Sequence, residues 1–142
     1  KFAAIIPDFE LSTSVARKVL PETIPHMDAR FNLARSALMA VSLYSGKYEN
    51  LKTAADDMLH QPYRLEYIPN ATEVMKLCYD SGAYASYISG AGTSLMAIVD
   101  DNVLDFEQKI QDGLVDMGLT SWELKMLSID NNGAKTMLDM ES

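Results

Sequence analysis

Positive charge, cysteine and long apolar runs are what this sequence has least of. Twelve Lys and Arg stand against twenty Asp and Glu, for a net charge of −8. Such a surface repels polyanions, which excludes non-specific nucleic-acid binding through displaced counterions. A small anionic ligand is still allowed, because a few arginines make a local positive site on an acidic protein. The single cysteine, Cys78, rules out an internal disulfide and fits a reducing cytoplasm. The longest apolar stretch, 37–44, is too short to cross a bilayer, so no membrane partner is expected. No leader is read at the start either: Lys1-Phe2-Ala3-Ala4-Ile5-Ile6 meets Pro7-Asp8 at once and suits a strand better. The chain lacks an initiator Met and begins inside that apolar run, so a piece of a longer protein is expected.

What is present suffices for one domain over 1–142 with a real core. Residues 2–9 read as a strand. Ser12 or Thr13 caps a helix that ends before Pro21. A longer helix follows, with Met27, Phe31, Ala34, Leu38 and Val41 in one apolar stripe and Gly46 at its end. The spacing predicts another helix from Lys47 to about His60, limited by Pro62. Asn70 with Glu73 resembles a capping box that opens a further helix, whose inner face carries Val74, Leu77, Cys78 and Ser81. Cys78 there reads as a buried small hydrophobe.

Two strands at about 84–89 and 94–100 flank Ser89-Gly90-Ala91-Gly92-Thr93-Ser94. Asp101 or Asn102 then caps a helix bearing Val103, Phe106, Ile110, Leu114 and Met117, closed by Gly118. Gly113 within it costs about 1 kcal/mol relative to Ala. A strand from Trp122 to Ile129 reaches Asn132-Gly133, read as a type I′ turn, with a return strand at 134–138. With the inserted helices set aside the order is βαββαβ. That is an α+β, ferredoxin-like split βαβ sandwich with helices on one face.

Three segments carry candidate chemistry. In Pro7-Asp8-Phe9-Glu10-Leu11-Ser12-Thr13, Thr13 and Arg17 lie four apart and share a helix face, an arrangement that suits a carboxylate or phosphate. A capping Thr beside a solvated Arg explains it too. In His60-Gln61-Pro62-Tyr63-Arg64, Pro62 forces a break that sets Arg64 on a rigid turn, where a guanidinium grips a carboxylate bidentately. His60 there makes a structural hydrogen bond, while His26 sits in an exposed turn. In the glycine turn, successive backbone N–H groups form a nest for an anion, although a bare hairpin turn fits equally. Asp56-Asp57 and Asp100-Asp101 read as a solvated helix face and a helix cap rather than as Mg²⁺ ligands, and no metal site is assigned.

Taken in order and spacing, Ile6 to Thr13, His60 to Arg64 and Ser89 to Ser94 resemble the homoserine kinases of the GHMP kinase family, and Phe31-Asn32-Leu33-Ala34-Arg35 resembles that family's long helix. The resemblance covers roughly residues 5–101. It implies a cytoplasmic enzyme that transfers the γ-phosphoryl group of ATP to the side-chain hydroxyl of L-homoserine, for threonine biosynthesis. Thr13 would lie near the reacting hydroxyl, and Arg17 and Arg64 would hold the α-carboxylate. Ser89, Gly90, Ala91 and Gly92 would lie beside the phosphates. The family's other motifs, including the loop that cradles ATP and the acidic residue near Mg²⁺, have no counterpart here. They are expected in an N-terminal ATP-binding domain, the partner of a C-terminal domain that is inactive alone and has no catalytic residue of its own. A homodimer is common in the family. The competing readings are a mevalonate or sugar kinase of the same family, a non-catalytic amino-acid-binding module, and a dimerisation domain built on helix 27–45.

Overall fold

β1 (Phe2–Ile6) runs through the interior of a four-stranded antiparallel sheet whose order is β2 (Ala83–Ile88), β3 (Leu95–Val99), β1, β4 (Glu123–Leu127). This computed structural model describes residues 1–133. After β1 come α1 (Thr13–Lys18), α2 (His26–Ser45), a 3₁₀ turn (Tyr48–Asn50), α3 (Leu51–Ala54), α4 (Gln61–Leu65) and α5 (Ala71–Asp80). The chain then forms β2 (Ala83–Ile88), β3 (Leu95–Val99), α6 (Phe106–Asp116) and β4 (Glu123–Leu127). Without α1 to α4 this is the expected ferredoxin-like strand order, so the α+β reading holds.

Alternation builds the sheet's buried face. β3 reads buried, half-buried, buried along Leu95–Val99, as a strand with one covered face must. Leu95, Ala97 and Val99 join Ala3 and Ile5 of β1 against Val74 and Cys78 of α5 and Phe106, Ile110 and Leu114 of α6. Burying each of the larger side chains contributes about 1.5–3 kcal/mol. A Cβ on Gly113 would sit 2.4 Å from Leu77 Cδ2, so the poor helix former is kept where α6 and α5 approach closely. Burial also pushes the Cys78 thiol up to about 11. At pH 8 the folded protein should therefore leave a thiol reagent unreacted until urea unfolds it; rapid labelling of the native state would contradict this packing.

Several local expectations are corrected. The helix drawn from Lys47 to His60 is broken into the 3₁₀ turn and the single turn of α3. The chain between 55 and 60 is irregular, because the Asp57 carboxylate takes the N–H groups of His60 and Gln61 and starts a new helix. Pro62 does not break a helix but lies in the first turn of α4, where its missing N–H costs nothing. Arg64 is thus on a helix, not on a turn. Asn70 precedes α5 with φ +62° and makes no side-chain cap, so no capping box forms. α6 begins at Phe106 rather than after Asp101 or Asn102, whose place is a turn held by Asp100. Asn132 does not have the positive φ of a type I′ turn; Gly133 does, and its N–H closes on Asp130 O. The return strand at 134–138 lies outside the described residues.

Of the three longest helices α2 is the least covered. Its apolar stripe does not enter a core: Met27 and Val41 are 64% and 63% exposed, and Leu33 and Tyr44 beside them are more so. The helix packs on α3 and the 3₁₀ turn, and Ser42 is its one buried residue. Gly46 ends it in the left-handed conformation as expected.

Candidate functional site

Arg64 gathers the three segments that stand far apart in the sequence. It projects from α4 and is only 9% exposed. Its Nε donates to Ala16 O of α1 (3.2 Å), and its Nη1 donates both to Gly90 O in the glycine turn (2.8 Å) and to His60 Nδ1 (3.2 Å). The turn is tied to the first segment as well, since Thr93 Oγ1 donates to Phe9 O (2.9 Å). Residues Ile6 to Thr13 and Gly92 to Ser94 together line an open cleft of about 480 Å³.

Charge is the notable feature of this arrangement. A guanidinium has five N–H donors and no acceptor. Three donors of Arg64 reach neutral acceptors, and no carboxylate lies within 4 Å of it among the described residues. The two donors on Nη2 have no protein partner among those residues. A buried cation without a counter-ion is costly to the fold, so an anion brought to it is correspondingly favoured.

The local supports follow from residues that the sequence left unassigned. Asp57 is read there as part of a solvated face, yet its side chain is 8% exposed. It accepts from His60 N (2.7 Å), Gln61 N (2.6 Å) and Asn32 Nδ2 (2.5 Å), so it caps α4 and fastens it to α2. Gln61 reaches the other way: its Oε1 accepts from Ile88 N (2.9 Å) and its Nε2 donates to Ala55 O (3.1 Å). The one available signal was Asp57 placed three and four residues before His60 and Gln61, ahead of a proline.

Burial would push the Asp57 carboxyl up, but the backbone N–H groups of Gln61 and His60, the Asn32 amide and the nearby His60 together hold it below 3.8. A carboxyl with a lowered folded value adds stability above its unfolded pKa and loses it as pH falls through the folded one. Asp57→Asn should thus cost about 1–2 kcal/mol at pH 7 and show a shallower fall below about pH 4. Urea midpoints from pH 3 to 7 check this; parallel curves for the two proteins would contradict it.

The expected site residues fall unequally on this frame. Ser12, not Thr13, caps α1 by accepting from Val15 N (3.3 Å), which leaves the exposed Thr13 hydroxyl on the cleft lining. Arg17 is exposed one residue after the carbonyl that Arg64 holds, and it has no ion-pair partner among the described residues. The glycine turn departs from a full anion nest. Ser89 N donates to Ser94 O (2.8 Å) and Gly92 N to Ser89 O (3.0 Å), so two of its N–H groups are used within the turn. Those of Gly90 and Ala91 stay outside these bonds. Among the described residues no three His, Cys, Asp or Glu side chains stand close enough to hold a metal ion. No helix among them is long and apolar enough to cross a membrane.

The chain is 43% identical over 143 aligned residues to the homoserine kinase of Caldicellulosiruptor bescii, covering 100% of this chain and 46% of that protein. It is 47% identical over 134 residues to the homoserine kinase of Clostridium beijerinckii, covering 94% of this chain and 45% of that one. It spans about half the length of the curated relatives it matches. The crystal structure of a homoserine kinase from Cytophaga hutchinsonii superposes with a TM-score of 0.73 at 24% identity, over 87% of this chain and 39% of that chain, and supports the fold. Residues 39–114 match the family model described as GHMP kinases C terminal, and with more than half of its length inside that match the chain belongs to the GHMP kinase C-terminal family.

Proposed function

We propose that this chain is the substrate-gripping half of a homoserine kinase, a cytoplasmic enzyme that phosphorylates the side-chain hydroxyl of L-homoserine to O-phospho-L-homoserine for threonine biosynthesis. The observation that carries the reading is Arg64, a buried guanidinium that has, among the described residues, two free donors and no carboxylate beside it. It receives the α-carboxylate of the substrate through Nη2, and Arg17 supplies a second cation from α1. Thr13 lies near the hydroxyl that accepts the phosphoryl group. The turn at Ser89, Gly90, Ala91 and Gly92 closes beside the phosphates and offers the N–H groups of Gly90 and Ala91. These roles position the substrate and complement its charge, which is most of what phosphoryl transfer asks of a protein.

ATP supplies the phosphoryl group when it is bound. ATP and Mg²⁺ are assigned mainly to the companion N-terminal domain; among the described residues no three His, Cys, Asp or Glu side chains stand close enough to hold a metal ion. That domain also accounts for the uncovered face of α2: the relatives carry more than half of their length beyond this chain, and Met27, Leu33, Val41 and Tyr44 offer an apolar surface for it. The test is ADP release by the full-length protein with homoserine, mevalonate and galactose in parallel. Turnover restricted to homoserine supports the reading. Preference for mevalonate or galactose, or no turnover by a folded, ATP-binding protein, sinks the assigned substrate.

A further inference from the structure

The contact between His60 and Arg64 is chemically one-sided. Arginine can only donate, so His60 Nδ1 must present its lone pair at 3.2 Å, and the imidazole must be neutral with its proton on Nε2. The Nε2 side faces Asp57 Oδ2 at 3.9 Å, where the carboxylate favours a proton. A protonated ring has no lone pair to offer, and it adds a cation next to Arg64. We propose that His60 is a positioning residue for the Arg64 guanidinium, and that protonating its ring releases Nη1 and weakens the hold on the substrate carboxylate in mild acid. The inference rests on the carboxylate role given to Arg64.

The surroundings fix the direction of this coupling. Burial holds His60 below its usual 6.5, Asp57 opposes that, and Arg64 reinforces it. Arg35 of α2, Asp56 of the loop after α3 and Tyr87 of β2 share the adjoining cleft of about 330 Å³ with His60 and Asp57. The neutral, accepting ring is therefore the working form at pH 7, and the hold weakens as the pH falls through that lowered value. The loss appears in KM rather than kcat, because the carboxylate is bound alike in the ground and transition states.

The experiment measures kcat and KM for homoserine from pH 5 to 8 in the full-length enzyme and its variants. His60→Asn keeps an acceptor oxygen near the Nδ1 position and cannot titrate; comparing it with wild type at each pH cancels the ionisation of ATP and substrate. The expected result is a KM within about twofold of wild type at pH 7.5 and severalfold below it at pH 5, with matching kcat. His60→Leu should raise KM at every pH and lose the acid limb. Asp57→Asn, which removes the charge favouring the imidazolium, should move the limb to lower pH. Urea midpoints confirm that each variant is folded. A wild-type to His60→Asn KM ratio that stays constant from pH 5 to 8 would overturn this inference alone. A wild-type enzyme that leaves homoserine unphosphorylated would overturn it together with the substrate reading.

Discussion

Arg64→Ala in the full-length enzyme should raise the KM for homoserine about 100-fold, with a much smaller change in kcat. A charge-assisted contact from Nη2 to a carboxylate removed from water is worth about 2–3 kcal/mol, and about 2.7 kcal/mol corresponds to a factor of 100. Arg64→Lys should recover little of this. A lysine cannot span Ala16 O, Gly90 O and His60 Nδ1 while keeping a further charged donor free. Both substitutions also remove ties that fasten α1 and the glycine turn to α4, so some loss of stability accompanies them. Steady-state kinetics at saturating ATP, with unfolding midpoints measured alongside, check the claim. An unchanged KM in a folded Arg64→Ala protein would remove the carboxylate role.

Gly92→Ala should destabilise the chain by about 2–4 kcal/mol, whereas Gly90→Ala should cost about 1 kcal/mol. Both glycines have positive φ, but of different kinds. Gly90 at +56° sits in the left-handed well that other residues enter at modest cost, and a Cβ there meets nothing within 4 Å. Gly92 at +92° lies outside that well. Its Cβ would stand 3.0 Å from Ile68 Cδ1 and 3.5 Å from Ile88 Cγ2, against a side chain of the packed core. Relief would push the turn outward and pull Thr93 away from Phe9 O, opening the cleft that Thr13 lines. Urea denaturation of both variants separates the cases, and equal losses would contradict this account of the turn.

The strand order and the site's three segments were legible in the sequence because each rests on short-range rules. Short apolar runs mark β2 and β3, glycine marks their turn, and Ser12 or Thr13 marks the start of α1. What the sequence hid is tertiary in origin. Asp57 looks like one of two solvated carboxylates until the backbone brings His60 N, Gln61 N and Asn32 onto it, and that capture splits a predicted helix in two. Pro62 reads as a helix breaker in isolation and becomes a helix starter once Asp57 supplies the cap. The nest expected at residues 89–92 is only partly formed, because hydrogen bonds within the turn take the N–H groups of Ser89 and Gly92. The stripe on α2 was found correctly, but periodicity reports an apolar face and not what covers it. The roles of Thr13 and Arg17 come from resemblance and are supported by position, as both are exposed on α1 beside the turn that Arg64 holds.

A KM shift alone cannot separate a lost carboxylate contact from a loosened turn, because Arg64 serves both. The direct measurement is a cycle of kcat/KM for homoserine and for 3-amino-1-propanol, the same molecule without its carboxylate, in the full-length wild-type and Arg64→Ala enzymes. The account predicts about 100-fold discrimination in the wild type and its near disappearance in Arg64→Ala. Equal discrimination in the two proteins would show that Arg64 holds the fold together without gripping the substrate.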